Sequence, residues 1–232
     1  MIDFHSHILP GIDDGSRSVE ESLEMLDRLS KQGISKVIAT PHFYADNESV
    51  AEFLARRKVA YDALSNELKP DMPEILLGAE VKYYQGISHL ENLKDLRIEN
   101  SDLLLLEMPD CRWTEYTAKE LAELSNYGST TVVLAHIERY FEFQDIQVFD
   151  KLLQYGILMQ VNASFFLELL TRRKALKMLK NHTVQLIGSD CHGVNRRPPR
   201  IGEAIDRIRK KFGDGFVKYI DDYENSLFYS NR

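Results

Sequence analysis

The chain has 232 residues, 44% of them hydrophobic, and a net charge of −7, with an isoelectric point near 5.5. That length suits a single domain over residues 1–232, and the acidic balance with no basic run argues against nucleic acid as a partner. No stretch reaches the roughly 18 apolar residues of a membrane span, and Cys111 and Cys191 are too few for a disulfide framework, so the reading is a cytoplasmic protein without direct membrane insertion.

Short apolar runs alternate with helical patterns along the chain. Residues 2–5 read as a strand, and the two-residue period of a strand puts His5 and His7 on one side. A ligand pair this early also argues against a cleaved leader. Ser18 with Glu21 reads as a capping box that opens a helix to about Gln32, stopped by Gly33. Residues 37–40 form a strand ending at Pro41-His42, and residues 49 to about 68 a helix stopped by Pro70. Residues 74–78 lead as a strand into Glu80, and residues 103–106 into Glu107. Residues 114–127 are helical with Gly128 after them, and the β-branched run 131–135 ends at His136. A helix over 145–155 precedes a strand over 157–161 that ends at Asn162. Residues 165–181 read as one helix, residues 184–188 as a strand ending at Ser189-Asp190, and residues 201–212 as a helix after Pro198-Pro199. The tail from about Asp221 is assigned no structure.

Strands alternating with helices predict a parallel sheet, and apolar runs without polar alternation predict strands buried on both faces. At least seven such units fit an α/β barrel of TIM-like form, closed or nearly closed, with its chemistry at the C-terminal strand ends. His5, His42, Glu80, Glu107, His136 and Asp190 fall there. With His7, Asp14 and His192 they make nine ligand types, too many for one tetrahedral ion and suited to two or three ions sharing a carboxylate. Such a cluster acidifies water and clamps the oxygens of a transferring phosphoryl group. Arg139, Arg196 and Arg197 follow ligand histidines and supply the fork of donors a phosphoryl group needs. Arg196 is the more solvated of its pair, because Pro198 is expected to hold Arg197 extended.

Plainer readings stand beside these. His89 and His182 lie in polar contexts and read as surface. Glu80 and Glu107, taken singly, read equally well as carboxylates capping a loop. Asp13 and Asp14 precede Gly15 in a turn-forming pattern; Asp14 is favoured as ligand and Asp13 as a turn former or a support for a ligand. Cys191 and Arg197 have the Cys-x5-Arg spacing of cysteine-dependent phosphatases. Pro198-Pro199 replaces the helix that should follow, and Asp190 beside the thiol would raise its pKa, so the spacing reads as coincidence.

The blocks Asp3-Phe4-His5-Ser6-His7, Thr40-Pro41-His42, Gly78-Ala79-Glu80, Glu107, Ala135-His136-Ile137-Glu138-Arg139-Tyr140 and Ser189-Asp190-Cys191-His192 resemble the PHP (polymerase and histidinol phosphatase) metallohydrolases. The opening MIDFHSHILPGIDDG, the AHIERY block and the RPP after the last histidine are similar to one branch, the manganese-dependent protein-tyrosine phosphatases of bacterial capsule and exopolysaccharide operons (CpsB/CapC/YwqE-like). The resemblance runs over nearly the whole chain. It implies a distorted (β/α)7 barrel of the PHP fold and three divalent ions, manganese first, with iron or zinc as alternatives. One ion takes His5, His7, Glu80 and Asp190; a second takes Glu80 as bridge, Glu107 and His136; a third takes Asp14, His42 and His192. Arg139 and Arg197 resemble phosphate-binding arginines, and His7 or His192 is left as a candidate proton donor to the leaving oxygen. The implied substrate is the phosphotyrosine tail of a membrane-associated bacterial tyrosine autokinase that controls polysaccharide synthesis. Cys191 between the last two ligands departs from the pattern. The rival readings are a small-molecule phosphatase acting on a substrate like histidinol phosphate, a non-catalytic metal-stabilised module, and an amidohydrolase. The last usually has a bridging lysine where Glu80 stands here.

Overall fold

The computed structural model describes residues 1–126 and 130–229; the predicted helix end at Tyr127 and Gly128 lies outside them. β1 (Ile2–Ser6), β2 (Lys36–Ala39) and β4 (Glu74–Leu77) form one sheet. β3 (His42–Phe43), β5 (Glu80–Lys82), β6 (Leu103–Glu107), β7 (Thr131–Leu134), β8 (Leu158–Asn162) and β9 (Leu186–Gly188) form the other. The pairings along both sheets are parallel.

β2 and β3 follow one path interrupted at Thr40-Pro41, and β4 and β5 another interrupted at Gly78-Ala79. The interruptions stay laced, because Thr40 N donates to Ser6 O at 2.9 Å, Gly78 N to Ala39 O at 2.9 Å and Glu80 N to Pro41 O at 3.0 Å. The described strands therefore trace seven paths, the number the sequence predicts. The sheet curls until its ends meet: Ser6 bridges Cys191, Asp190 N donates to His5 O at 2.7 Å, and His7 N donates to Cys191 O at 3.0 Å. This is the distorted barrel expected. Its interruptions correct one placement, since His42 and Glu80 do not end strands but open β3 and β5, paired in register with each other.

The outer layer is α1 (Val19–Lys31), α2 (Val50–Ser65), α3 (Glu115–Asn126), α4 (Ile146–Gln154), α5 (Ala163–Leu167), α6 (Arg172–Lys180), α7 (Ile201–Phe212) and α8 (Asp214–Ser226). The single helix predicted over 165–181 is two. Leu169 and Leu170 have no core to reach, and the chain turns there. Thr171 Oγ1 donates to Phe165 O and Arg172 Nη2 to Leu167 O, each at 2.8 Å, satisfying carbonyls left at the end of α5. α8 covers residues assigned no structure from sequence, although Val217, Ile220 and Glu224 are buried at helical spacing.

Apolar strand residues face two ways. Phe4, Ile38, Leu76, Leu105, Val133 and Leu186 form one buried cluster, and the alternate positions pack with the helices in a larger one. α8 closes over the start of β1, where Glu224 Oε2 accepts from Ile2 N at 3.2 Å and Glu224 Oε1 is buried without a partner among the described residues. Burial raises the Glu224 carboxyl well above its ordinary value of 4.5. A raised acid contributes fully below its unfolded pKa, and that contribution is lost as pH rises through the folded pKa. Glu224→Gln is therefore expected to melt higher than wild type near pH 8, by about 3 °C or more, the shift that about 1 kcal/mol gives a chain of this size. The gap should begin to shrink as pH falls through the folded pKa and close toward the ordinary value of 4.5. Melting curves across pH test this, and a gap that widens in acid would contradict it.

Candidate active site

Five histidines converge at one end of the barrel. His5 and His7 leave β1 on one side with their Nε2 atoms 3.1 Å apart. His42 opens β3, His136 lies two residues past β7, and His192 follows β9. Glu80 is buried in their midst. Its Oε2 lies 3.0 Å from His42 Nδ1, 3.2 Å from His5 Nε2 and 3.3 Å from His7 Nε2, and its Oε1 lies 2.8 Å from His136 Nε2. Donor atoms within 4.8 Å of one another fall into three groups: His7, Asp14, His42 and His192; His5, His7 and Asp190; and His42, Glu80 and Glu107. His136 Nε2 is 3.7 Å from Glu107 Oε1. The nine predicted ligand residues thus meet in one cluster, while His89 and His182 are exposed.

Four of these imidazoles are held by Nδ1 and turn Nε2 toward the cluster. The His192 Nδ1–H donates to Asp190 O at 3.0 Å. His7 Nδ1 donates to Asp13 Oδ2 at 2.8 Å. His136 Nδ1 lies 3.3 Å from Tyr140 Oη, which also accepts from Met108 N at 2.9 Å. Gln160 Oε1 accepts from His136 N at 2.7 Å, which identifies it as the carbonyl, so His5 Nδ1 at 3.3 Å is its second donor. Imidazoles fixed this way present Nε2 lone pairs, the arrangement of metal-bound histidine. His42 Nδ1 and Glu80 Oε2 have no hydrogen-bond partner among the described residues, though both are buried and they face each other. Buried polar atoms without partners are costly, and divalent cations held in this cluster would satisfy them. The donor set, imidazole and carboxylate without thiolate, suits manganese, iron or zinc.

The electrostatics agree. Burial works against charge on His7, but the hydrogen bond to Asp13 and the nearby Glu80 outweigh it and lift the imidazole to about 10. Burial raises Asp13, and His7 reverses that to about 2. Burial likewise raises Asp190, while His5 and His7 hold it at about 2. The carboxylates draw positive charge onto His7, whereas burial lowers His136, and burial with the neighbouring His7 lowers His192 to about 4.

Asp13 does both things left open for it. Its Oδ1 accepts from Gly15 N at 2.9 Å, forming the turn, and its Oδ2 takes His7 and also His42 N at 3.1 Å. Gly15 is required there, since a Cβ would lie 2.3 Å from His7 O. Gly188 is required for a similar reason, 2.5 Å from His5 Cβ.

Three residues of the site sit at positive φ: His136 at 33°, Asp190 at 51° and Arg197 at 51°. Left-handed backbone is uncommon for residues other than glycine, and three further such residues, Asn92, Asn100 and His182, lie outside the site. The extended geometry predicted for Arg197 is thus overturned. The turn that returns Arg197 O to His192 N, at 3.0 Å, overrides the preference imposed by Pro198. Arg196 is more exposed than Arg197, as predicted. Arg139 Nη2 lies 2.8 Å from Asp190 Oδ2 and Arg197 Nη1 3.4 Å from the same oxygen; Arg197 also touches His192 Nε2. Cys191 is fully buried, and burial pushes its thiol up, away from a thiolate nucleophile.

Sequence reasoning missed the support from β8. Gln160 Nε2 donates to Asn162 Oδ1 at 3.1 Å, Asn162 Nδ2 donates to Asp190 Oδ2 at 2.8 Å, and Asn162 N donates to Glu138 Oε1 at 3.0 Å. Two recesses flank the cluster. One, of about 830 Å³, is lined by Asp13, Asp14, His42 and Tyr44 among others. The other, of about 390 Å³, is lined by Glu138, Arg139, Asn162, Asp190 and Arg197 among others.

A curled parallel barrel with carboxylates and imidazoles at one end defines a metallohydrolase-like centre. The model of the family described as "Capsular polysaccharide synthesis, CpsB/CapC" matches residues 1–231, and the chain belongs to that family. It is 31% identical over 229 residues to the tyrosine-protein phosphatase CpsB of Streptococcus pneumoniae, covering 92% of this chain and 91% of that one. It is 29% identical over 220 residues to the tyrosine-protein phosphatase YwqE of Bacillus subtilis, covering 92% and 85%. Among solved structures, one from a study of YwqE and CpsB as metal-dependent tyrosine phosphatases superposes with a TM-score of 0.83 at 25% identity, covering 98% of this chain and 94% of that one. A histidinol phosphate phosphatase from Lactococcus lactis shares the fold alone, with a TM-score of 0.57 at 13% identity over 94% and 93%.

Proposed function

We propose that this chain is a metal-dependent protein-tyrosine phosphatase that removes phosphate from a bacterial tyrosine autokinase in the cytoplasm and so regulates capsular or exopolysaccharide synthesis. The observation that carries the reading is Glu80, a buried carboxylate ringed by four imidazole nitrogens within 3.3 Å, with two arginines beside it on Asp190. Three divalent ions, manganese before iron or zinc, are assigned to His5, His7, Glu80 and Asp190, to Glu80, Glu107 and His136, and to Asp14, His42 and His192. Bound divalent ions supply Lewis acidity, acidifying water and polarising phosphoryl oxygens.

The chain's own residues do the rest. Arg139 and Arg197 face the edge of the cluster and donate to phosphoryl oxygens. Tyr44, whose ring stacks on His42 with centroids 5.5 Å apart, forms an aromatic wall for a phenol ring. His7 and His192 serve as ligands, because each has its Nδ1 engaged by the protein. A phenolate is a fair leaving group and departs without a strong general acid. The small-molecule reading needs an enclosing lid. Asp14, Arg139 and Arg197 are instead 52%, 38% and 40% exposed, which favours a protein substrate. No helix among the described residues is long and apolar enough to cross a membrane.

The test is a parallel assay on phosphotyrosine peptide, phosphoserine peptide and histidinol phosphate. Chelation should abolish phosphotyrosine hydrolysis and manganese should restore it. Full activity in metal-free protein, or preference for histidinol phosphate, overturns the reading. Gln160 gives a second test. Gln160→Leu keeps the volume but removes the acceptor of the His5 ring and of the His136 backbone N–H, and should weaken manganese affinity roughly ten- to a hundredfold. Gln160→Glu, which keeps the acceptor, should lose far less. Competition with a fluorescent chelator measures both, and equal affinities would remove Gln160 from the support of the site.

A further inference from the structure

The α5–α6 segment runs against the net charge of the protein. Residues 163–180 hold five basic side chains and one acidic one, Glu168, in a chain of net charge −7. On α1, α2 and α8 a surface lysine is paired with an acid one helical turn away, Lys31 with Asp27, Lys58 with Asp62 and Lys218 with Asp222. On α6, Arg173, Lys174, Lys177 and Lys180 are exposed and have no ion pair among the described residues; Lys174 lies over the Phe141 ring at 3.4 Å. Immediately before α6, Leu169 is 83% and Leu170 97% exposed. These leucines lie close in sequence to Leu167, which lines the recess holding Arg139 and Arg197.

The apolar side of α6 is already taken, with Ala175, Met178 and Leu179 in the core, so the helix does not lie waiting for a partner helix. What it leaves outward is a convex cationic strip ending in two protruding leucines. A phosphopeptide needs a groove to seat its backbone and side chains, and none is formed by a tip exposed to this degree. A planar anionic surface suits it: cations adsorb to headgroups while apolar side chains at the tip enter the boundary layer. We propose that the α5–α6 tip and the outer face of α6 dock this protein on an anionic phospholipid bilayer, placing the rim of the active site at the membrane surface. The inference is independent of the reaction catalysed.

Vesicle flotation tests it, with phosphatidylcholine vesicles compared with vesicles that also contain phosphatidylglycerol. Wild type should float with the anionic vesicles only, and less so as salt rises. Arg173→Ser/Lys177→Ser/Lys180→Ser should weaken binding roughly a hundredfold, at about fivefold per cation. Leu169→Ser/Leu170→Ser should weaken it roughly tenfold. Both variants should hydrolyse a soluble aryl phosphate at the wild-type rate, showing that they fold. Absence of wild-type flotation at low salt, or flotation that neither variant reduces, overturns the proposal. So does loss of affinity for a soluble phosphotyrosine peptide with vesicle binding intact, which would make the strip a peptide site. A changed sedimentation coefficient with vesicle binding intact would make it a contact between copies of the chain.

Discussion

Glu80→Gln is expected to strip the site of metal and with it of activity. The substitution keeps size and buried shape, so it isolates charge. In wild type the carboxylate offers one oxygen to His136 and the other to a space bounded by His5, His7 and His42. Only a carboxylate has spare lone pairs on both oxygens and the charge to bridge two cations. Glutamine turns one side into an NH2 group, which repels a cation and has only imidazole nitrogens to meet. Loss of a residue that merely supports a ligand costs ten- to a hundredfold in metal affinity, so loss of the bridge should exceed about a hundredfold. Elemental analysis of purified protein and kcat on an aryl phosphate should fall together. A variant that keeps full metal content and turnover would show that Glu80 caps a loop, the plainer reading that its sequence position allows.

Much of this candidate centre was legible because the predicted ligand residues cluster where buried strands run out. His5 and His7 show it through the period of a strand, and Glu107, His136 and Asp190 through the abrupt end of an apolar run. His42 and Glu80 were found for the right neighbourhood but the wrong place, since nothing in Thr40-Pro41 or Gly78-Ala79 reveals that the path resumes after the break. Their alignment with each other depends on pairing between β3 and β5, a tertiary fact. Gln160 and Asn162 carried a usable signal: two polar residues two apart in a buried strand share a face, the same pattern as His5 and His7. It went unread beside the imidazoles and carboxylates, and these amides instead hydrogen-bond His5, His136 and Asp190. The break between α5 and α6 was hidden for a different reason. Leu169 and Leu170 continue the apolar periodicity of a helix while pointing at solvent, so the pattern that predicts burial fails at the two leucines that stay outside.

Arg139→Ala should lower kcat on phosphotyrosine substrates while leaving fold and metal content nearly unchanged. The separation is possible because Arg139 is one of three side chains that meet Asp190 Oδ2. Arg139 Nη2 and Asn162 Nδ2 each meet its Oδ2 at 2.8 Å, so the carboxylate stays oriented when the arginine goes. What is lost is a guanidinium 3.7 Å from Glu107 and in contact with Asp190, poised at the cluster edge with part of its surface open to substrate. If its donors tighten on the phosphoryl group as charge spreads over the equatorial oxygens, the loss is about 2–4 kcal/mol of transition-state stabilisation, as for a removed oxyanion donor. Uniform binding would instead raise KM with kcat kept. Arg139→Lys retains charge without the fork and should fall between alanine and wild type. Arg197→Ala removes the second guanidinium on the same oxygen and should show the same separation of kcat from metal content. Steady-state kinetics with metal analysis on the same preparations decide the matter. Wild-type kcat/KM in Arg139→Ala, or loss of its metals, would assign the arginine to holding Asp190 and not to the phosphoryl group.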